Sequence, residues 1–190
     1  MISITLVTGN KRKLAEVAAI MEPYGIKVTM AKAVKFEAQG EIDFVSSLAA
    51  QLASMELLAP VVVDDSGLYV DSLNGFPGPY SSYAFDKLGN KGLLKLMDGV
   101  PDRKAVFRCV VTYADVITDE IKSFEGQITG YIRSDIGKED GFGFDPIFSP
   151  FGPGGKAFSE MDVAQKNEIS HRGIAFRKLA VFLLNKIAQG

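Results

Sequence analysis

The chain has 190 residues, a formal net charge of −2 at pH 7 and 47% hydrophobic residues, which is the composition of an ordinary globular protein. Its one cysteine and one histidine exclude an internal disulfide, a cysteine-cluster metal site and a multi-histidine zinc site. The charge balance gives no sign of a nucleic-acid surface, and no apolar run is long enough to span a membrane. We therefore expect a cytoplasmic protein with a single domain over residues 1–190, and neither a nucleic acid nor a membrane as its partner.

The hydrophobic pattern predicts strands and helices that alternate through the first part of the chain. Apolar runs at residues 2–7 and 26–31 predict two strands, and helical spacing between them predicts a helix. A third strand begins at residue 61. It follows an amphipathic helix over about residues 43–58, whose large apolar side chains on one side are Phe44, Leu48, Leu52 and Met55.

The second part of the chain predicts two short helices, at residues 81–88 and 90–97, and then a hairpin. Period-2 alternation over residues 105–113 gives its first strand, which places Cys109 in the core, and the return strand covers residues 121–132. Gly126 and Gly130 in the return strand are candidates for bulges. Ser170 is a good N-cap for the last helix. The order of elements predicts one mixed α/β sheet.

A glycine turn, Thr8-Gly9-Asn10, joins the first strand to a helix whose first turn carries Lys11, Arg12 and Lys13. Helix N-termini are positive, so three cations there are unfavourable unless an anion is bound. A helix N-terminus after a glycine turn is a ready phosphate site, although the sequence lacks the spacing of a P-loop. The alternative is a solvated basic patch.

Two adjacent carboxylates, Asp64 and Asp65, follow the apolar start of the third strand, and Ser66 and Gly67 interrupt its apolar pattern. Successive side chains of a strand point to opposite faces, so one acid is a candidate site residue and the other is a candidate support. The alternative is a surface turn, because Asp, Ser and Gly are common turn residues.

Two further segments suit a nucleotide. Phe142 lies between glycines, where an exposed ring could stack on a base; the alternative is a ring that packs in the core. His171 and Arg172 fall in the first turn of the last helix, where cations again call for an anion, although a lone histidine is usually structural. Separate carboxylates without a thiol or histidine cluster favour Mg²⁺. The residues therefore indicate a Mg²⁺-dependent enzyme that acts on a nucleoside polyphosphate.

Five motifs occur in order along the chain: Thr8-Gly9-Asn10 with Lys13 and Glu16, Asp64-Asp65-Ser66-Gly67-Leu68, Gly75-Phe76-Pro77-Gly78, Phe142-Gly143-Phe144-Asp145-Pro146, and Lys166-Asn167 with Ser170-His171-Arg172. This order resembles the inosine/xanthosine triphosphate pyrophosphatase family over essentially the whole chain. The resemblance implies an α/β fold with an elongated mixed β-sheet flanked by helices, two lobes with a central substrate cleft, and a homodimer. It also implies Mg²⁺-dependent hydrolysis of dITP, ITP or XTP to the monophosphate and pyrophosphate.

The resemblance also implies a role for each motif. Glu37 and Asp65 would bind Mg²⁺, Asp65 would also accept the proton, and Asp64 would then be its support. Ser66 would contact the substrate. The triphosphate would be bound by Thr8, Gly9, Asn10, Lys11, Arg12 and Lys13. The base and phosphates would be surrounded by Phe142, Gly143, Phe144, Asp145, Lys166, His171 and Arg172.

One departure from the family affects the phosphate site: many members carry a lysine where this chain has Ala49, and Lys156 is a candidate replacement. Arg172 has donors only, so we expect it to bind the 6-oxo group of hypoxanthine or xanthine and to disfavour the amino group of adenine. Two alternatives remain. One is a pyrophosphatase for modified pyrimidine nucleotides, whose site would lack the Ser-His-Arg segment, and the other is a nucleotide-binding module without turnover.

Overall fold

The computed structural model describes residues 2–33 and 40–188. The helices are α1 (Lys11–Met21), α2 (Ile42–Leu57), α3 (Ser81–Leu96), α4 (Val163–Ile169) and α5 (His171–Ala188). The strands are β1 (Ile2–Val7), β2 (Ile26–Ala31), β3 (Val61–Val70), β4 (Pro77–Gly78), β5 (Lys104–Asp115), β6 (Glu120–Ile132) and β7 (Phe148–Ser149). Glu37, a predicted metal ligand, lies outside the described residues, so its role stays a prediction.

The strands in these ranges form one mixed sheet. Its order is β2-β1-β3-β5-β6-β7, and β4 pairs with β3. Strand β1 pairs in parallel with β2 and with β3, whereas β4 pairs antiparallel with β3 and β7 pairs antiparallel with β6. The predicted mixed α/β sheet is therefore confirmed. None of the described helices combines the length and the apolar character that crossing a membrane requires.

The chain divides into two compact units, each built from more than one segment. Unit 1 comprises Met1–Asp65, Cys109–Gly126 and Ser170–Gly190, and unit 2 comprises Ser66–Arg108 and Gln127–Ile169. The strands β3, β5 and β6 each supply residues to both units.

Each unit has its own apolar core. In unit 1, residues of β1, β3 and β5 pack with α1 and α5, and this cluster includes Phe176 and the fully buried Cys109, as predicted for that cysteine. In unit 2, the ring of Phe148 contacts the rings of Phe107 and Phe158 at centroid distances of 4.6 and 5.1 Å. Aromatic pairs at such distances add to the stability that their buried area provides.

Helix α2 buries Ile42 and a face of small residues, whereas two of the large apolar side chains that the pattern predicts for its buried side are exposed. Ala50 and Ala53 are buried, and Ser46 Oγ donates a hydrogen bond to the Val110 carbonyl oxygen at 3.2 Å. Phe44 and Met55, by contrast, are each 58% exposed. Small side chains let the helix backbone approach its neighbours closely, so the side that the amphipathic pattern would place against the core faces outward at these two residues.

The two glycines of β6 allow close approach of neighbouring backbone. A Cβ atom at Gly126 would lie 2.1 Å from the His171 carbonyl oxygen and 2.6 Å from the Ala175 nitrogen. A Cβ atom at Gly130 would lie 2.5 Å from the Ser149 carbonyl oxygen. Real Cβ atoms do not approach other atoms this closely, so these contacts account for both glycines. The absence of a side chain at Gly126 thereby lets the first turn of α5 pack directly against β6. Bulges at these positions stay a prediction.

Candidate active site

Strands β1 and β3 bring two of the predicted motifs to the same edge of the sheet in unit 1. The strands are parallel neighbours, with Leu6 opposite Val62. Continuing this register by two residues places Thr8, where the glycine turn begins, beside Asp64. The turn before α1 and the acid pair therefore lie side by side.

Asn10 caps helix α1 and fixes the glycine turn. Its Oδ1 accepts hydrogen bonds from the backbone nitrogens of Arg12 at 2.9 Å and Lys13 at 3.2 Å. Its own backbone nitrogen donates to Thr8 Oγ1 at 3.1 Å. The side chains of Lys11 and Arg12 lie at the exposed start of the helix. Phosphate binding by residues 8–13 stays a prediction.

Lys13 points towards the acid pair. Its Nζ lies 2.7 Å from the Asp64 carbonyl oxygen and 3.1 Å from Asp64 Oδ1. The carboxylate of Asp64 is therefore one of the anions that compensate the positive charge at the start of α1.

Asp64 also belongs to a buried ion-pair network. Arg172 donates from Nε to Asp64 Oδ2 at 2.6 Å and from Nη1 to Glu16 Oε2 at 2.7 Å. Burial alone would raise the pKa of Asp64, but the charges of Arg172 and Lys13 outweigh burial and hold the pKa of that carboxyl well below its usual range. Burial would lower the pKa of Arg172, and the two carboxylates raise it instead. Asp64 and Arg172 are therefore both ionised at neutral pH.

The sequence analysis assigns no function to Glu16, although its spacing from Lys13 indicates where its side chain lies. It lies three residues after Lys13, and side chains at that spacing share one face of a helix. Helix α1 therefore presents one cation to Asp64 and one carboxylate to Arg172 from the same face.

The two acids of the pair differ in their surroundings. Asp64 takes the supporting contacts, whereas Asp65 is half-buried, with its Oδ2 atom shielded from solvent. Strand β3 runs without a break from Val61 to Val70 through both acids, so the surface-turn alternative is wrong. The roles of Asp65 in metal binding and proton transfer stay predictions.

Arg172 and His171 begin helix α5 and are both buried. The cap is Ser170, as predicted, because its Oγ accepts a hydrogen bond from the Gly173 nitrogen at 3.0 Å. The Arg172 side chain is 2% exposed, and its Nε and Nη1 donate to carboxylates. The structure thus gives Arg172 a supporting role that the sequence did not predict. Contact of Arg172 or His171 with substrate stays a prediction.

The Phe142–Asp145 loop lies in unit 2 and is anchored by its last two residues. Phe144 is buried, and its ring meets the Phe85 ring edge-to-face at a centroid distance of 5.3 Å. Asp145 is also buried and accepts a hydrogen bond from Lys166 Nζ at 2.8 Å. Phe142 is half-buried, so Phe144 is the ring of this motif that packs in the core. Stacking of Phe142 on a base stays a prediction.

Ser66 and Lys156 also belong to unit 2. Ser66 is half-buried on β3, and Lys156 is exposed in the segment before α4. Ala49 lies on α2, in unit 1. Both the substrate contact of Ser66 and the replacement of the family lysine by Lys156 stay predictions.

Carboxylate chemistry at Asp65 fits Mg²⁺. Across residues 2–33 and 40–188, no three His, Cys, Asp or Glu side chains are grouped so that they could hold a metal. Mg²⁺ does not need such a group, because it binds through one or two carboxylates together with water and substrate phosphates. Asp65 supplies the hard oxygen donors that this ion prefers.

A surface groove of about 1020 Å³ in unit 1 is lined by other residues. It lies along β6 and α5, and its lining includes Glu120, Lys122, Phe124, Arg177, Phe182 and Lys186. None of the predicted site residues lines this groove, so it is not the candidate active site.

Comparison with known proteins supports the fold. The family model of the Ham1 family matches residues 4–182. The dITP/XTP pyrophosphatase of Hyperthermus butylicus is 41% identical over 181 residues, which cover 95% of this chain and 94% of that protein. The enzyme of the same name from Pyrobaculum aerophilum is 41% identical over 184 residues, which cover 96% and 97%. The Ham1 protein of Staphylococcus aureus superposes with a TM-score of 0.81 at 31% identity, covering 97% and 99% of the two chains.

Proposed function

Because the chain belongs to the Ham1 family, we propose that it hydrolyses the non-standard purine nucleoside triphosphates dITP, ITP and XTP to the nucleoside monophosphate and pyrophosphate. Relatives of nearly equal length are named dITP/XTP pyrophosphatases. In the structure, one observation carries the proposal: the buried network of Lys13, Asp64, Arg172 and Glu16 lies directly beside Asp65, at the sheet edge where the turn before α1 begins.

The proposed reaction is attack of water on the α-phosphorus, with pyrophosphate as the leaving group. Phosphoryl transfer depends mainly on positioning and on stabilisation of charge. The turn Thr8–Lys13 would hold the triphosphate through the exposed cations at the start of α1. Asp65 would accept the proton of the attacking water, and Asp64, fixed by Arg172 and Lys13, would hold the adjacent backbone in place.

We also propose that the reaction depends on Mg²⁺. Asp65 and Glu37 would hold the ion, and Mg²⁺ would supply positive charge to the phosphate oxygens. In unit 2, the Phe142–Asp145 loop and Lys166 would recognise the 6-oxo purine. The half-buried ring of Phe142 and the firm anchoring of Phe144 and Asp145 support this assignment.

A homodimer in the cytoplasm is part of the same proposal. The outer side of α2 and the residue after it expose Phe44, Met55 and Leu58, at 58%, 58% and 74%, and a second copy would cover such apolar surface. Sedimentation equilibrium over a range of concentrations tests this part: the dimer mass is expected, and a monomer at all concentrations would contradict it.

A substrate panel tests the reaction. Pyrophosphate and orthophosphate are measured after incubation with ITP, dITP, XTP, GTP, ATP and dUTP, with Mg²⁺ and again with excess EDTA. We expect pyrophosphate from the first three, slower release from ATP by a factor of about 100 or more, and no release with EDTA. Preference for a pyrimidine nucleotide would favour the related pyrophosphatase, and binding without turnover would favour the binding module. Release of orthophosphate alone would contradict the proposal.

A further inference from the structure

We propose that Asn90 positions the Phe142–Asp145 loop for recognition of the purine base, an assignment that rests on the proposed function. Asn90 lies on α3, and its Nδ2 donates a hydrogen bond to the Gly143 carbonyl oxygen at 3.3 Å. Both residues belong to unit 2. None of the five sequence motifs includes Asn90.

Helix α3 is broken immediately before Asn90. Gly89 has φ 59° and ψ −171°, which is not helical, so Asn90 begins the second part of the helix, as the prediction of two short helices required. The left-handed φ is accessible to glycine without strain. The break sets the direction in which the second part of α3 starts, and with it the place of the Asn90 side chain.

The hydrogen bond from Asn90 acts on a carbonyl inside the turn of the loop. The Asp145 nitrogen closes that turn by donating to the Phe142 carbonyl oxygen at 3.0 Å. Phe144 is fixed by the ring of Phe85, also on α3, and Asp145 is fixed by Lys166. Gly143, by contrast, has φ +54°, and a Cβ atom built on it would have no neighbour within 4 Å. Gly143 has no side chain that could fix the orientation of the peptide that follows it, so the hydrogen bond from Asn90 adds to the turn in holding that peptide.

Asn90 selects that orientation. With the Gly143 carbonyl held towards Asn90, the N–H of Phe144 must point in the opposite direction, because the peptide group is planar and trans. The loop backbone then presents one fixed set of donors and acceptors. A loop that recognises a purine by its hydrogen-bonding edge needs such a fixed set.

The other end of the Asn90 amide makes no hydrogen bond to a described residue that would add to stability. Its Oδ1 is buried and has no hydrogen-bond partner among the residues that the structure describes. A buried acceptor without a partner is destabilising, and a leucine of similar size would avoid that penalty. The donor group is therefore the part of the Asn90 amide that acts on the loop.

Steady-state kinetics of Asn90→Asp and Asn90→Leu test the inference. Asn90→Asp keeps the size of the side chain but places an acceptor against the Gly143 carbonyl, and Asn90→Leu removes both the donor and the unpaired acceptor. For both variants we expect KM for ITP to rise about tenfold while kcat changes less than about threefold. The ratio of kcat/KM for ITP to that for ATP should fall by a similar factor, because ATP gains little from base recognition. Asn185→Asp, an equal change of charge at an exposed position of α5, should leave all these values unchanged.

The outcomes separate the inference from the function on which it rests. Asn90→Leu should keep the thermal midpoint of the wild-type protein, which shows that the kinetic change is not a loss of fold. Unchanged KM and an unchanged ITP to ATP ratio in an active protein would overturn the inference alone. An equal loss of activity with both substrates, together with a lower thermal midpoint, would also overturn it in favour of a structural role. A wild-type protein that releases no pyrophosphate from ITP would instead contradict the proposed function, and the inference with it.

Discussion

Arg172 and Asp64 are 108 positions apart in the sequence and form a buried ion pair, with Nε 2.6 Å from Oδ2. The pair joins the first turn of α5 to β3, the strand that carries the acid pair. Glu16 and Lys13 connect the same pair to α1. Three elements of unit 1 thus meet at one network of charges, directly beside Asp65.

Substitution of Arg172 by lysine should destabilise the protein. Lysine keeps the charge but cannot reproduce the two separate hydrogen bonds of the guanidinium group to Asp64 and Glu16. Loss of a hydrogen bond to a charged group lowers the free energy of unfolding by about 1.5–3 kcal/mol. Urea unfolding at pH 7 measures the change. Arg177→Lys, a partly exposed position on the same helix, is the matched control and should change this free energy by less than about 1 kcal/mol.

The same variant tests whether Arg172 contacts the base. If Arg172 acts only through Asp64 and Glu16, Arg172→Lys should lower the turnover of ITP and of ATP by the same factor. A selective loss with ITP would show that Arg172 does bind the 6-oxo group, as the sequence predicts. The measurement is kcat/KM for both substrates, at a temperature where the variant is folded.

The network also predicts how stability depends on pH. The pKa of Asp64 in the folded protein lies below its usual value of about 3.9. A carboxyl with a lowered folded pKa contributes stability above its unfolded pKa, and this contribution is lost as the pH falls towards the folded pKa. The difference in unfolding free energy between wild type and Asp64→Asn should therefore be constant above about pH 5 and shrink at pH 3. A difference that stays the same down to pH 3 would contradict the ion pair.

Gly126 provides a test of the contact between β6 and α5. Gly126→Ala would place a methyl group 2.1 Å from the His171 carbonyl oxygen, so the first turn of α5 must move, and the unfolding free energy should fall by about 1–3 kcal/mol. Activity should fall as well, because Arg172 moves with that turn. Gly154→Ala is the control, since a Cβ atom there meets nothing within 4 Å. Equal stability of the two variants would show that the turn adapts freely.

Local patterns in the sequence were sufficient for most of the elements. The bounds of β1 and β2 and the cap at Ser170 were predicted because periodicity and capping depend on residues that are close in the chain. The unequal surroundings of Asp64 and Asp65 also followed, from the alternation of side chains along a strand.

Features that depend on distant partners were not predictable in this way. The sequence marks Arg172 as a cation near a helix start, but the identity of its anion, Asp64, is set by how α5 and β3 pack. The packing of α2 was likewise not predictable, because the hydrophobic pattern shows an apolar side of the helix but not which face contacts the rest of the protein. Phe44 and Met55 face outward because Ala50, Ala53 and Ser46 allow the closer contact.

The most direct test of this account is pyrophosphate release from dITP by Asp65→Asn, measured beside the wild type and Asp64→Asn. Removal of a general base commonly slows an enzyme by about 10²–10⁴-fold. We predict a loss of that size in Asp65→Asn with an unchanged thermal midpoint, whereas Asp64→Asn should lose stability because it leaves Arg172 and Lys13 without their buried carboxylate. Near-normal release of pyrophosphate by a folded Asp65→Asn protein would contradict the assignment of Asp65 to the reaction.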